Sequence, residues 1–167
     1  HLQKIVNADP KDAAAQNNLG ITETELDNLP AAKIAFQSAL GVAPHYADAH
    51  YNLGNVHLAN LDYQLAAEYY LQALELEPKN RPALYHLALC RQKQRAYNEA
   101  LDLMNTLVES SDVENTQERI LALGGRANIL RDLGQFDAGL LDIETALTAA
   151  PTDLALMGNK ALTLQHA

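Results

Sequence analysis

Tryptophan is absent, cysteine occurs once, and only two phenylalanines accompany seven tyrosines in 167 residues. A single thiol, Cys90, cannot close an internal disulfide and leaves the redox compartment open, the cytoplasm being the default expectation. Basic residues are also scarce, twelve Lys and Arg against twenty-one Asp and Glu, for a formal charge of -9. Nucleic-acid affinity rests on clustered Lys and Arg, and no basic patch exists, so nucleic acid is not an expected partner. The same deficit argues against anionic membrane surfaces. No run of about 18 apolar residues is present, and residues 1–30 lack a basic start followed by an apolar stretch, so neither a membrane span nor a leader is visible within them. What remains is a chain 48% hydrophobic, enough for a real core and rich in Ala and Leu, which favours helices packed through small and aliphatic side chains.

The sequence repeats itself every 34 residues, most cleanly between 13–46 and 47–80. Asn18-Leu19-Gly20 returns as Asn52-Leu53-Gly54, Ala32 as Ala66, Phe36 as Tyr70, Ala39-Leu40 as Ala73-Leu74, and Pro44 as Pro78. A third unit from Arg81 keeps Leu87-Ala88 and Ala100, but has Met104 and Leu107 for the aromatic and the second Ala, and Asp112 for the proline. It is degenerate. A fourth is marked by Arg126-Ala127, Leu133-Gly134, Phe136, Gly139, Ala146-Leu147 and Pro151, which puts its start at Ile120. The step from 81 to 120 is 39, and the five extra residues fall in the polar stretch Glu109 to Glu118.

This pattern resembles the tetratricopeptide repeat, whose units carry Leu-Gly early in a first helix, Ala, an aromatic and Ala on a second, and a closing Pro. The resemblance implies an all-α fold, a right-handed α-solenoid of helix-turn-helix hairpins. The expected tiling is helix B of a preceding unit at 1–12, units at 13–46, 47–80, 81–119 and 120–153, and helix A of a further unit at 154–167. Such an array is expected to be cut from a longer protein, because complete arrays carry polar capping elements.

The residues supply the physical reasons. Apolar side chains recur at three- and four-residue spacing, as in Leu53, Val56, His57 and Asn60-Leu61, and again in Leu65, Ala66, Tyr69, Tyr70 and Ala73. Pro44, Pro78 and Pro151 cannot continue a helix and end helix B, whereas Pro30 and Pro82 suit a first helical turn. Ser111 to Glu114 and Asn115 to Glu118 resemble capping boxes, which predicts an early start for helix A of the fourth unit.

In this family helix A lines the concave surface, with positions 2, 5, 6, 9, 12 and 13 of each unit pointing into it. The resemblance thus selects Asn17, Asn18, Ile21, Thr24 and Glu25 from the first unit, and Asp48, Tyr51, Asn52, Asn55 and Leu58 from the second. It selects Tyr85, His86, Leu89, Gln92 and Lys93 from the third, Asn128, Arg131 and Asp132 from the fourth, and Asn159 beyond. Asn amides can donate to and accept from a peptide backbone, and Tyr51 and Tyr85 offer flat apolar contact. Asn18, Asn52 and Asn159, all at the sixth position, resemble the asparagine ladder of O-linked N-acetylglucosamine transferase repeats, interrupted here by His86 and Gly125. A carboxylate clamp of the chaperone-adaptor kind is matched only by Asn52 and Asn55. Gly124-Gly125 reads either as close approach by a ligand or as drift in a marginal repeat.

No catalytic, metal or cofactor site is expected. His50 and His57 occupy packing positions without the partners of metal-ligand spacing, and Cys90 reads as a buried hydrophobe. The acidic pairs Asp142/Glu144 and Glu75/Glu77 diverge by about 200° on a helix and read as solvated charges. The expected function is a non-catalytic scaffold that binds a protein or peptide in the groove. One alternative is the substrate-recruiting arm of a larger enzyme of glycosyltransferase or sulfotransferase type. The other is homo-oligomerisation through solenoid ends exposed at Leu2–Val6 and Leu154–Leu164.

Overall fold

The computed structural model describes residues 12–110 and 116–167. Within them lie nine helices and no strand: α1 (Ala13–Glu25), α2 (Leu29–Val42), α3 (Ala47–Ala59), α4 (Tyr63–Leu76), α5 (Arg81–Lys93), α6 (Tyr97–Glu109), α7 (Thr116–Asp132), α8 (Phe136–Ala149) and α9 (Leu154–His166). None is long and apolar enough to cross a membrane. The fold class is all-α, of the helical-hairpin solenoid type. The chain divides into two compact parts, His1–His86 and Leu87–Ala167, with the division falling inside α5.

Helix ends follow from local chemistry. Asp12, Asp62 and Asp153 cap α1, α4 and α9 by accepting from backbone amides of the first turn, and Asn80 Oδ1 accepts from Ala83 N at 3.0 Å. Pro30 sits in the first turn of α2, where its missing donor costs nothing. The helices before Pro44, Pro78 and Pro151 stop at Val42, Leu76 and Ala149.

Each turn from the first to the second helix of a hairpin uses a left-handed residue: Asp27 (φ 57°), Leu61 (60°), Arg95 (63°) and Gly134 (75°). These steps are 34, 34 and 39, the same as the sequence repeat. The amide after each turn residue bonds back to the helix, Asn28 N to Glu23 O, Asp62 N to His57 O, Ala96 N to Arg91 O and Gln135 N to Leu130 O, satisfying carbonyls the helix end would leave bare. Leu61, read from the sequence as an apolar helix position, is therefore a turn residue outside α3 and 68% exposed. Leu65 is likewise exposed.

Two close contacts explain the recurring Gly and aromatic of the first two hairpins. A Cβ on Gly20 would lie 2.4 Å from the Phe36 ring, and one on Gly54 would lie 2.5 Å from the Tyr70 ring. Phe36 and Tyr70 are almost fully buried, and Phe36 packs with Ala32, Leu53 and Val56 to carry the core from one hairpin to the next. In the third, Ala88 and Met104 occupy the corresponding positions, both fully buried. The insert's capping boxes begin in 111–115, outside the described residues, but α7 starts at Thr116 and runs 17 residues where α1, α3 and α5 run 13. Part of the insert thus forms an extra N-terminal turn.

Candidate functional site: the helix-A faces

In the first compact part, α3 and the start of α5 bring together an aromatic and amide cluster. Tyr51 stacks on His86 with ring centroids 5.8 Å apart and planes 11° from parallel, and its hydroxyl lies 3.3 Å from His86 Nδ1. Tyr70 meets the same imidazole at 5.5 Å, and Tyr85 packs edge-on against it at 5.7 Å. Burial lowers the His86 pKa and raises that of Tyr85, so both stay uncharged at neutral pH.

The amides serve two masters. Tyr70 donates its hydroxyl to Asn55 Oδ1 at 2.8 Å, and Asn52 donates to Asn17 Oδ1 at 3.0 Å, which ties α3 to α1. Asn17 is only 3% exposed, so it positions Asn52 and has little surface to offer a ligand. Asn18 is exposed, while Tyr51, Asn52, Asn55, Tyr85 and His86 are half-buried.

The second compact part has a different helix-A face. Gln92 donates to Asp132 Oδ2 at 2.6 Å, linking α5 to α7. Asn128 Oδ1 and Arg131 Nη1 are buried without a hydrogen-bond partner among the described residues. Lys93 is exposed and Asn159 half-buried, so this face is richer in positive charge. Gly124 lies beneath it: a Cβ there would meet Leu156 Cδ2 at 3.2 Å, so the close approach comes from α9.

Asp142 departs most from the sequence reading. It is 6% exposed, and it accepts from Arg126 Nε and Nη2, both at 2.7 Å. Arg126 Nη1 also donates to Asn105 Oδ1 at 3.1 Å, so one guanidinium joins α6, α7 and α8. The signal was available: Arg126 stands where the other three hairpins have Leu19, Leu53 and Leu87. Glu144 is exposed and pairs with Lys160 at 2.9 Å.

The set-aside residues have structural work. His50 Nε2 lies 2.8 Å from the Pro44 carbonyl, and His57 stacks on Tyr69 at 5.3 Å with Asp62 3.6 Å from its Nδ1. Cys90 is fully buried, and burial pushes its thiol up to about 11, far from a reactive thiolate.

Tetratricopeptide-repeat models match residues 47–80 and 82–111. Among curated proteins the chain is similar to the cellulose synthase 1 operon protein C of Komagataeibacter xylinus, 29% identical over 171 residues, covering 95% of this chain. It spans only 12% of that protein's length. Among solved structures it is similar to YrrB, a tetratricopeptide-repeat protein with an unusual peptide-binding site (TM-score 0.81, 21% identity, 99% of this chain and 82% of that one). It is also similar to a tetratricopeptide-repeat protein of Parabacteroides merdae (TM-score 0.85, 20% identity, 99% of this chain and 64% of that one). The chain is a tetratricopeptide-repeat array, and repeats of this kind are protein-interaction modules.

Proposed function

We propose that the helix-A face of the first compact part binds an extended segment of a partner protein, without catalysis by this array. The observation that carries this is the ring cluster on His86: Tyr51 and Tyr85 are held by packing before any ligand arrives, so little side-chain entropy remains to be lost on binding. Asn18 and Asn52 add amide groups that complement a peptide main chain. Peptide binding by the similar YrrB supports the reading.

The test begins with a random extended-peptide library selected on the chain. Tyr51→Leu, Asn52→Ala and Tyr85→Leu together should abolish capture of the selected peptides while the helical signal and melting curve persist. Undiminished capture by that variant would reject the groove. Asn55 is left intact because truncating it orphans the buried Tyr70 hydroxyl.

A second reading is favoured by the curated relative. Since this chain matches a small fraction of a cellulose synthase operon protein, the array would be the recruiting arm of a far longer chain that works with a polysaccharide synthase. Reciprocal coprecipitation of the full-length product with the synthase tests it, and loss of coprecipitation on deleting 12–167 is the supporting result.

A further inference from the structure

We infer that the helix-A face of the first compact part selects a basic segment, seating a Lys or Arg side chain between Asp48 and the rings of Tyr51 and Tyr85. This rests on the groove reading above and adds the chemistry of the partner. Residues 12–86 hold nine Asp and Glu but only three Lys and Arg: Lys33, Lys79 and Arg81. At the face positions of this part the charged side chains are Asp48 on α3 and Glu25 on α1. Both are exposed, and neither belongs to an ion pair among the described residues.

Asp48 lies in the first turn of α3, three residues before Tyr51, so the two share one face of the helix. Its field reaches Tyr46, whose hydroxyl is pushed up by burial first and by Asp48 next. An exposed carboxylate alone contributes little to an ion pair. A cation that also lies over a tyrosine ring gains from the ring's negative face, and the Tyr51 and Tyr85 rings are anchored on His86 where such a cation would meet them. His86 brings no competing charge, because burial keeps it neutral. The acidic surroundings would further speed encounter with a basic segment.

Composition of the library-selected peptides decides the matter. Selection on the parent chain should enrich Lys and Arg. Replacing Lys by Gln in a selected peptide should weaken binding about tenfold. The double variant Asp48→Asn/Glu25→Gln should bind the Lys peptide about fivefold more weakly, leave the Gln peptide unchanged and lose most of the salt dependence. Asp102→Asn, an exposed carboxylate on α6, should change nothing. Selected peptides without basic residues, captured through Tyr51 and Tyr85, would overturn the charge assignment and leave the groove standing. So would a loss on Asp102→Asn equal to that on the double variant. A library that yields nothing dependent on Tyr51 and Tyr85 would remove both readings.

Discussion

Replacing Asp142 by Leu should destabilise the second compact part by about 3 kcal/mol, because it strands the Arg126 guanidinium against α8. Removing one partner of a buried ion pair costs roughly 3–5 kcal/mol, since the remaining charge keeps its desolvation penalty without its compensation. Here the Asp142 side chain is 8% exposed and that of Arg126 is 21% exposed, so the arginine can recover some water and the low end applies. Hydrogen bonding to Asp142 is the main reason the guanidinium pKa is raised. In a chain of this size the loss corresponds to a drop in Tm of roughly 6–12 °C.

The same reasoning predicts rescue. In the third hairpin the equivalent positions hold Leu87 and Leu103, an apolar pair in the same chain. Arg126→Leu/Asp142→Leu should therefore return to within about 1 kcal/mol of the parent, as buried pairs often do when replaced by packed hydrophobes. Urea melts followed by circular dichroism measure all four corners of the cycle. Alkylation of Cys90, which reacts only when its part opens, shows which half unfolds. A double variant no more stable than either single, or singles costing under about 1 kcal/mol, would refute the account.

Glycine substitution should have opposite signs at two helical sites. Gly54→Ala drives a methyl into the Tyr70 ring and should cost about 1–3 kcal/mol, whereas Gly41→Ala, with open space around its new Cβ, should stabilise α2 by about 0.5–1 kcal/mol; urea midpoints decide both. Acid should destabilise the first part. Burial lowers the His57 and His86 pKa values from 6.5, with Lys33 adding to the effect at His57 and Asp62 opposing it, so the unfolded chain takes up protons first as pH falls. Stability should be flat above that value, fall as pH drops below it, and level off beneath the folded-state values; His57→Gln/His86→Gln should flatten the slope, and an unchanged slope would rule these histidines out.

The features readable from sequence were those written in short-range chemistry. Pro44, Pro78 and Pro151 stop helices by holding the residue before them, Ala43, Glu77 and Ala150, out of the helical region, and Gly20 and Gly54 mark a ring pressed against a backbone. What escaped depends on which distant residues meet. Asp142 reads as solvated beside Glu144 until Arg126, 16 positions away, is seen to face it. Asn17 looks like a groove residue until its amide is found holding Asn52, 35 positions on. Leu61 keeps the helical spacing of its neighbours, yet the tight turn needs a left-handed residue there whatever its side chain.

That last case indicates how one backbone tolerates such uneven repeats. The turn is fixed by main-chain hydrogen bonds, so Asp, Leu, Arg and Gly all serve at the same place, the first three at a conformational cost of about 1–2 kcal/mol each. Inside the hairpin the constraint is volume: where the first two have Gly beneath an aromatic ring, the third adds a methyl at Ala88 and narrows the opposing side chain to Met104. The fourth goes further and places the Arg126–Asp142 ion pair where the third has two leucines at the equivalent positions, and a charge so placed demands its partner in a way that an apolar side chain does not. Positions on the helix-A face answer to neither rule. Asn17, Tyr51, Tyr85 and Gly124 succeed one another at a single register, from a buried amide through two half-buried phenols to a buried glycine. Each answers instead to its own neighbours: Asn17 holds Asn52, the two tyrosines pack on His86, and Gly124 leaves room for Leu156.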